Sequence, residues 1–125
     1  MGTTITFKNL TIGYRSKHQL RAVASSIHAS LQGNKLTCLI GANGVGKSTL
    51  LRTLSGFQPP LDGEILIQDK PLSDYSAREL AQEIGVVLTN RMDTPQLSVQ
   101  EIIGIGRSPY TGFWGTLSSA DQKIV

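Results

Sequence analysis

Apolar positions along this chain fall into short runs separated by turn residues. From residue 3 to 14, Ile5, Phe7, Leu10 and Ile12 alternate imperfectly with polar neighbours, which predicts one or two strands ending at Gly13-Tyr14. Ala22 to Leu31 places Val23, Ile27 and Leu31 at apolar positions and predicts another strand. Gln32-Gly33-Asn34 is turn chemistry, and it predicts a hairpin into Leu36-Thr37-Cys38-Leu39-Ile40, an apolar run of strand length. Phe57-Gln58-Pro59-Pro60-Leu61-Asp62-Gly63 reads as a rigid connection and a turn. Beyond it, Glu64 to Gln68 is rich in β-branched and apolar residues and predicts a strand. Ile84 to Leu88 predicts one more, buried.

Helix signals lie between these runs. Lys47 to Ser55 sets Leu50, Leu51 and Leu54 toward one face, with Gly56 as the stop. Ser76-Ala77-Arg78-Glu79 is a capping box that opens a short helix to about Glu83. Ser98-Val99-Gln100-Glu101 is a second, opening a helix through Ile102, Ile103 and Ile105. Leu117 to Asp121 reads as a further helix start with Ser118 as its cap. Thr89 to Leu97 is a polar connector, and residues 106 to 115 form a loop dense in glycine and aromatics.

The chemistry concentrates in Gly41-Ala42-Asn43-Gly44-Val45-Gly46-Lys47-Ser48-Thr49, which reads G-x-x-x-x-G-K-S. A predicted strand precedes it and a predicted helix follows. Such an arrangement suits a polyphosphate. The helix N-terminus supplies unpaired N–H groups and a partial positive charge. Gly41, Gly44 and Gly46 let the backbone curl and turn its N–H groups inward. Lys47 adds a full positive charge for the β- and γ-phosphates, and Ser48 a hydroxyl oxygen for magnesium. The bland alternative is a glycine-rich turn that binds nothing; strand, spacing, lysine and serine together weigh against it.

Composition narrows the rest. The hydrophobic fraction is 39%, the charged fraction 17% and the net charge +3 over 125 residues, which fits one globular domain. The basic residues are scattered; Arg15, Lys17 and Arg21 form the one loose cluster and read as a solvated face, so no nucleic-acid partner is expected. Cys38 is the single cysteine, which rules out a disulfide framework and reads as a buried, inert thiol. No apolar stretch approaches the length that spans a bilayer. His18 and His28 lack carboxylate or thiol partners, which makes a metal centre of their own unexpected.

The residues from Gly41 to Leu51, followed by Leu54-Ser55-Gly56 and then Asp62-Gly63-Glu64-Ile65, resemble the nucleotide-binding subunit of ABC transporters. The resemblance covers the whole chain. It implies an α/β fold with a phosphate-loop NTPase core, truncated, with an N-terminal antiparallel β segment. Residues 1–125 would be the N-terminal part of one such domain, and 117–125 the opening of its helical subdomain. ATP and magnesium would be the ligands. Gly41, Asn43, Gly44, Val45, Gly46, Lys47, Ser48 and Thr49 would hold the phosphates, and Ser48 the metal. Tyr14 falls where the family has an aromatic that stacks on adenine, although an aromatic after a strand more commonly serves core packing. Glu101 to Tyr110, with Gly106-Arg107-Ser108-Pro109-Tyr110, is similar to members that power uptake of iron–siderophore complexes and cobalamin.

Two departures follow. The family ends the strand corresponding to Ile84–Leu88 with a glutamine that reaches magnesium; here Thr89 stands there, with Asn90 as the substitute if the strand runs one residue longer. The family's Leu-Ser-Gly-Gly-Gln loop, its strand ending in Asp-Glu and its later histidine are not among these residues, and no catalytic base is assigned. The resemblance implies a cytoplasmic ATPase subunit, peripheral on the inner face of the membrane. Its partners would be a membrane-spanning permease subunit, docked through the Thr89 to Trp114 region, and a second copy of itself. Two rival readings are a non-catalytic nucleotide-binding module that regulates a partner, and a small kinase.

Overall fold

A one-residue interruption of alternation in the first strand organises the sheet. The computed structural model describes residues 4–89 and 96–125. Strand β1, Ile5–Arg15, pairs antiparallel with β2, Leu20–Leu31, on one side and with β3, Asp62–Ile67, on the other; β4, Lys70–Pro71, extends the order to β2-β1-β3-β4. Strict alternation would put Asn9 and Thr11 on the same side as Phe7. Instead Asn9 adopts a left-handed φ of 47°, and an extra residue enters β1 between the pairs Phe7–Ala29 and Leu10–Ile27. The same bulge separates Lys8–Glu64 from Thr11–Asp62 on the β3 side. It switches the parity of everything that follows, so Phe7, Leu10 and Ile12 all turn into one core with Ile65. Each of these buried side chains contributes about 1.5–3 kcal/mol of transfer free energy. One strand, not two, therefore occupies this stretch. It runs past Gly13-Tyr14 to Arg15, and the hairpin closes where the Ser16 N–H donates to the Gln19 carbonyl at 2.9 Å.

Helix α1, Lys47–Leu54, covers that core through Leu50 and Leu54. Its end is a Schellman arrangement. Gly56 takes a φ of 73°, the Phe57 N–H donates to the Arg52 carbonyl at 3.0 Å, and the Gly56 N–H to that of Thr53 at 3.2 Å. Leu51 departs from the expected apolar face and is exposed, while Thr49 and Thr53 are buried. The buried stripe is 49, 50, 53, 54, the true i, i+3, i+4 set, and Leu51 lies about 100° away from Leu50. Thr53 is tolerated there because its hydroxyl donates to the Thr49 carbonyl at 2.8 Å.

Three expectations fail. Leu36–Ile40 and Ile84–Leu88 are not strands: neither enters a ladder among the described residues, and Leu36, Ile40 and Val87 are almost fully exposed. A strand of this kind needs backbone partners beside it and apolar cover on its faces, and the described residues supply neither. Cys38, within the first of these runs, is accordingly exposed rather than buried. The described sheet is thus antiparallel throughout.

The described chain divides into two compact units, one up to Ser76 and one from Ala77. The second holds α2, Ala77–Glu83, α3, Val99–Ile105, and α4, Ser119–Ile124. Both later helices begin with full capping boxes, Ser98 with Glu101 and Ser118 with Asp121. Asp121 also takes a bidentate approach from Arg107, with Nε and Nη2 each 2.8 Å from one carboxylate oxygen. The Ser118 hydroxyl, the Ser118 N–H and then Arg107 hold the Asp121 carboxyl below its ordinary range. The Ser118 caps and the Arg107 pair thus meet on one carboxylate. Arg78 donates to the Pro109 and Thr111 carbonyls at 2.8 and 2.7 Å, and Gln82 to Pro109 at 2.8 Å, which ties α2 to the turn at Ser108–Tyr110.

Candidate functional site

The loop from Gly41 to Gly46 is shaped by two glycines. Gly44 has a φ of 81° with open space around it, so conformation alone selects glycine there. Gly46 has a φ of 111°, and a Cβ on it would lie 2.7 Å from Val23 Cγ1 of β2. Gly46 is the N-cap of α1 and offers no side-chain acceptor, so the first N–H groups of the helix have no intrahelical or side-chain cap partner. Lys47 folds back across the loop, its Nζ donating to the carbonyls of Gly41 and Ala42, both at 2.7 Å. The ammonium therefore lies against the loop that leads into the positive end of the helix dipole. Asn43, Gly44, Val45 and Ser48 are exposed around it, as a ligand's approach requires.

Tyr14 shares the parity of Leu10 and Ile12 and so reaches α1. Its ring is 53% exposed, yet its hydroxyl lies 3.0 Å from Thr49 Oγ1, a side chain that is 4% exposed. Simple core packing of Tyr14 is thereby set aside; the ring is held at its tip and open on its surface. The sequence places Thr49 in the phosphate loop; the structure turns its hydroxyl to Tyr14. The bulge at Asn9, which alone gives Tyr14 the right face, was the signal that a period-two reading passed over. Behind the ring, Gln58 Nε2 donates to the Gly13 carbonyl at 3.0 Å. A side chain at Gly13 would collide with the Arg21 carbonyl and Leu61.

Thr89 is exposed and belongs to the second unit; Asn90 lies outside the described residues. His18 and His28 are exposed, and His28 Nδ1 accepts from the Asn9 N–H at 3.4 Å, beside the bulge. Glu101 and Asp121, with carboxyls held low mainly by the hydroxyls of Ser98 and Ser118, serve helix starts in the second unit.

A family model described as ABC transporter matches residues 24–124, which contain the whole loop and α1. The chain belongs to the ABC transporter family. An uncharacterised ABC transporter ATP-binding protein of Haemophilus influenzae is 41% identical over 117 residues, 94% of this chain and 43% of the relative. The ferric enterobactin transport ATP-binding protein of Escherichia coli is 32% identical over 118 residues, 94% of this chain and 42% of the relative. The dimeric structure of a bacterial ABC transporter cassette matches with a TM-score of 0.75 at 22% identity, over 96% of this chain and 53% of that one, a likeness of fold. This ABC-family chain thus spans about two fifths of the length of the curated relatives it matches. Its fold is the ABC nucleotide-binding type, represented by a small antiparallel sheet with helices. No helix of the described residues is long and apolar enough to cross a membrane.

Proposed function

We propose that this chain is the ATP-binding part of an importer's ATPase subunit, with an iron–siderophore or cobalamin-like complex as the transported cargo. The observation that carries the reading is the loop of Gly44 and Gly46 closed around the Lys47 ammonium at the N-terminus of α1. Gly41, Asn43, Gly44, Val45 and Gly46 would line the phosphate path with backbone, and the N–H groups of Lys47, Ser48 and Thr49, at the uncapped start of α1, would donate to it. The Tyr14 ring offers a face for adenine, which stacking holds without base-specific bonds. Fit to magnesium rests on donor chemistry: Ser48 gives an exposed hydroxyl beside the lysine, at the start of α1. Magnesium would supply charge neutralisation along the phosphates.

Hydrolysis belongs to a larger assembly in this reading. Phosphoryl transfer to water is mostly positioning and charge stabilisation. These residues contribute the positive cradle, while no side chain among them is assigned to orient the water. Residues 1–125 then act as the N-terminal part of one nucleotide-binding domain, with 117–125 opening its helical subdomain. A permease subunit docked at the Thr89 to Trp114 region and a second copy closing over the nucleotide would complete the machine. Support for the cargo class comes from the relatives named for ferric enterobactin and hemin import.

Calorimetric titration of the chain with ATP and magnesium tests this. Binding is expected, with turnover near background. Lys47→Ala should weaken binding about tenfold to a hundredfold, the loss of charge-assisted hydrogen bonds. Absence of ATP binding by folded protein overturns the reading. Clean binding together with regulation of a partner, and no contact with a permease, would favour the non-catalytic module.

A further inference from the structure

The two threonines of α1 that face inward are used differently. Thr53 follows the common helical habit and donates to the carbonyl four residues back, that of Thr49, at 2.8 Å. Thr49, one turn earlier, commits its own hydroxyl to Tyr14 across 35 residues of sequence. On the β1 side of this link the backbone ahead of Tyr14 is tied to the segment that follows α1. Gln58 holds the Gly13 carbonyl, and the Leu61 N–H donates to the Thr11 carbonyl at 2.8 Å. An exposed tyrosine ring with a free tip would exchange rotamers readily. This ring is held at its tip and stands on a strand whose backbone is tied down just before it.

We infer that Thr49 is a positioning residue for base recognition: its hydroxyl locks the Tyr14 ring to the first turn of α1, so the base platform and the phosphate loop form one preorganised unit. The inference rests on the nucleotide-binding reading above and deepens it. Preorganisation raises affinity by removing the ordering cost from the binding step. The benefit reaches only a ligand that has a base to stack. Inorganic tripolyphosphate, which has none, gains nothing from the orientation of the ring. The discriminating quantity is therefore the ratio of ATP affinity to tripolyphosphate affinity, and not either affinity alone.

A double-mutant cycle reads that ratio. Tyr14→Phe, Thr49→Val and the double variant of the full chain are each titrated with ATP and with tripolyphosphate, both with magnesium. Either single change should lower the ratio about threefold to tenfold, the weight of one neutral hydrogen bond. The double variant should lower it no further, because both changes cut the same link. Thr49→Ser keeps a hydroxyl and should restore the ratio, and it guards against a Thr49→Val variant that folds poorly. Losses that fall equally on both ligands would mark a purely structural bond and overturn the inference. So would a ratio unmoved by Tyr14→Phe, or singles whose effects multiply in the double. Wild-type chain that binds tripolyphosphate and ATP equally sinks the base platform alone; wild-type chain that binds neither sinks the nucleotide reading itself.

Discussion

Gly46 carries two independent demands, a φ of 111° and a 2.7 Å approach to Val23 Cγ1 for any added Cβ. Gly46→Ala should therefore destabilise the unit up to Ser76 by about 1–3 kcal/mol, read by chemical denaturation. Val23→Ala in the same chain should recover only part of that loss, because space returns and backbone strain does not. Gly44→Ala meets no neighbour, so its cost is conformational alone and should be the smaller of the two. Asp121 carries a prediction in pH. Its carboxyl is held low in the folded state by Ser118 and then Arg107. A lowered native pKa stabilises above the unfolded value, so the contribution is complete at neutral pH and is lost as pH falls below about 4. Asp121→Asn should lower the melting temperature at pH 7 and flatten the acid limb; an unchanged acid limb would refute the assignment.

The helices were legible from sequence because their signals are local. Ser98 and Ser118 announce their caps within four residues, and the structure closes both boxes. Ser98→Ala should cost about 1 kcal/mol, visible as faster amide exchange at the start of α3. Ser118→Ala should cost more, since it also loosens the carboxylate that Arg107 grips. The phosphate-loop pattern was legible for the same reason, being contiguous. Strands were legible only where partners lie within the described residues. β1, β2 and β3 find each other; Leu36–Ile40 and Ile84–Leu88 have apolar content and no ladder, and Cys38 is exposed with the first of them. Composition describes what a strand wants to bury, and only a neighbour decides whether it can. The link between Tyr14 and Thr49 was hidden differently, behind a one-residue bulge that shifts parity.

Taken whole, the chain exposes Leu36, Ile40, Val87, Phe113 and Trp114 almost completely. Apolar surface of this kind seeks cover. The chain should bind a hydrophobic dye such as anilinonaphthalene sulfonate and self-associate with rising concentration in light scattering. Leu36→Lys with Val87→Lys should reduce both effects, and a monomer with no dye binding at high concentration would show that the runs are covered in solution. One residue also governs how the sheet meets α1. Removing Asn9 would take out the bulge in β1, send Leu10 and Ile12 toward water, and swing Tyr14 to the far side from α1. A deletion of three nucleotides, far from the glycine loop, would thereby part the Tyr14 hydroxyl from Thr49 while leaving every residue from Gly41 to Thr49 unchanged.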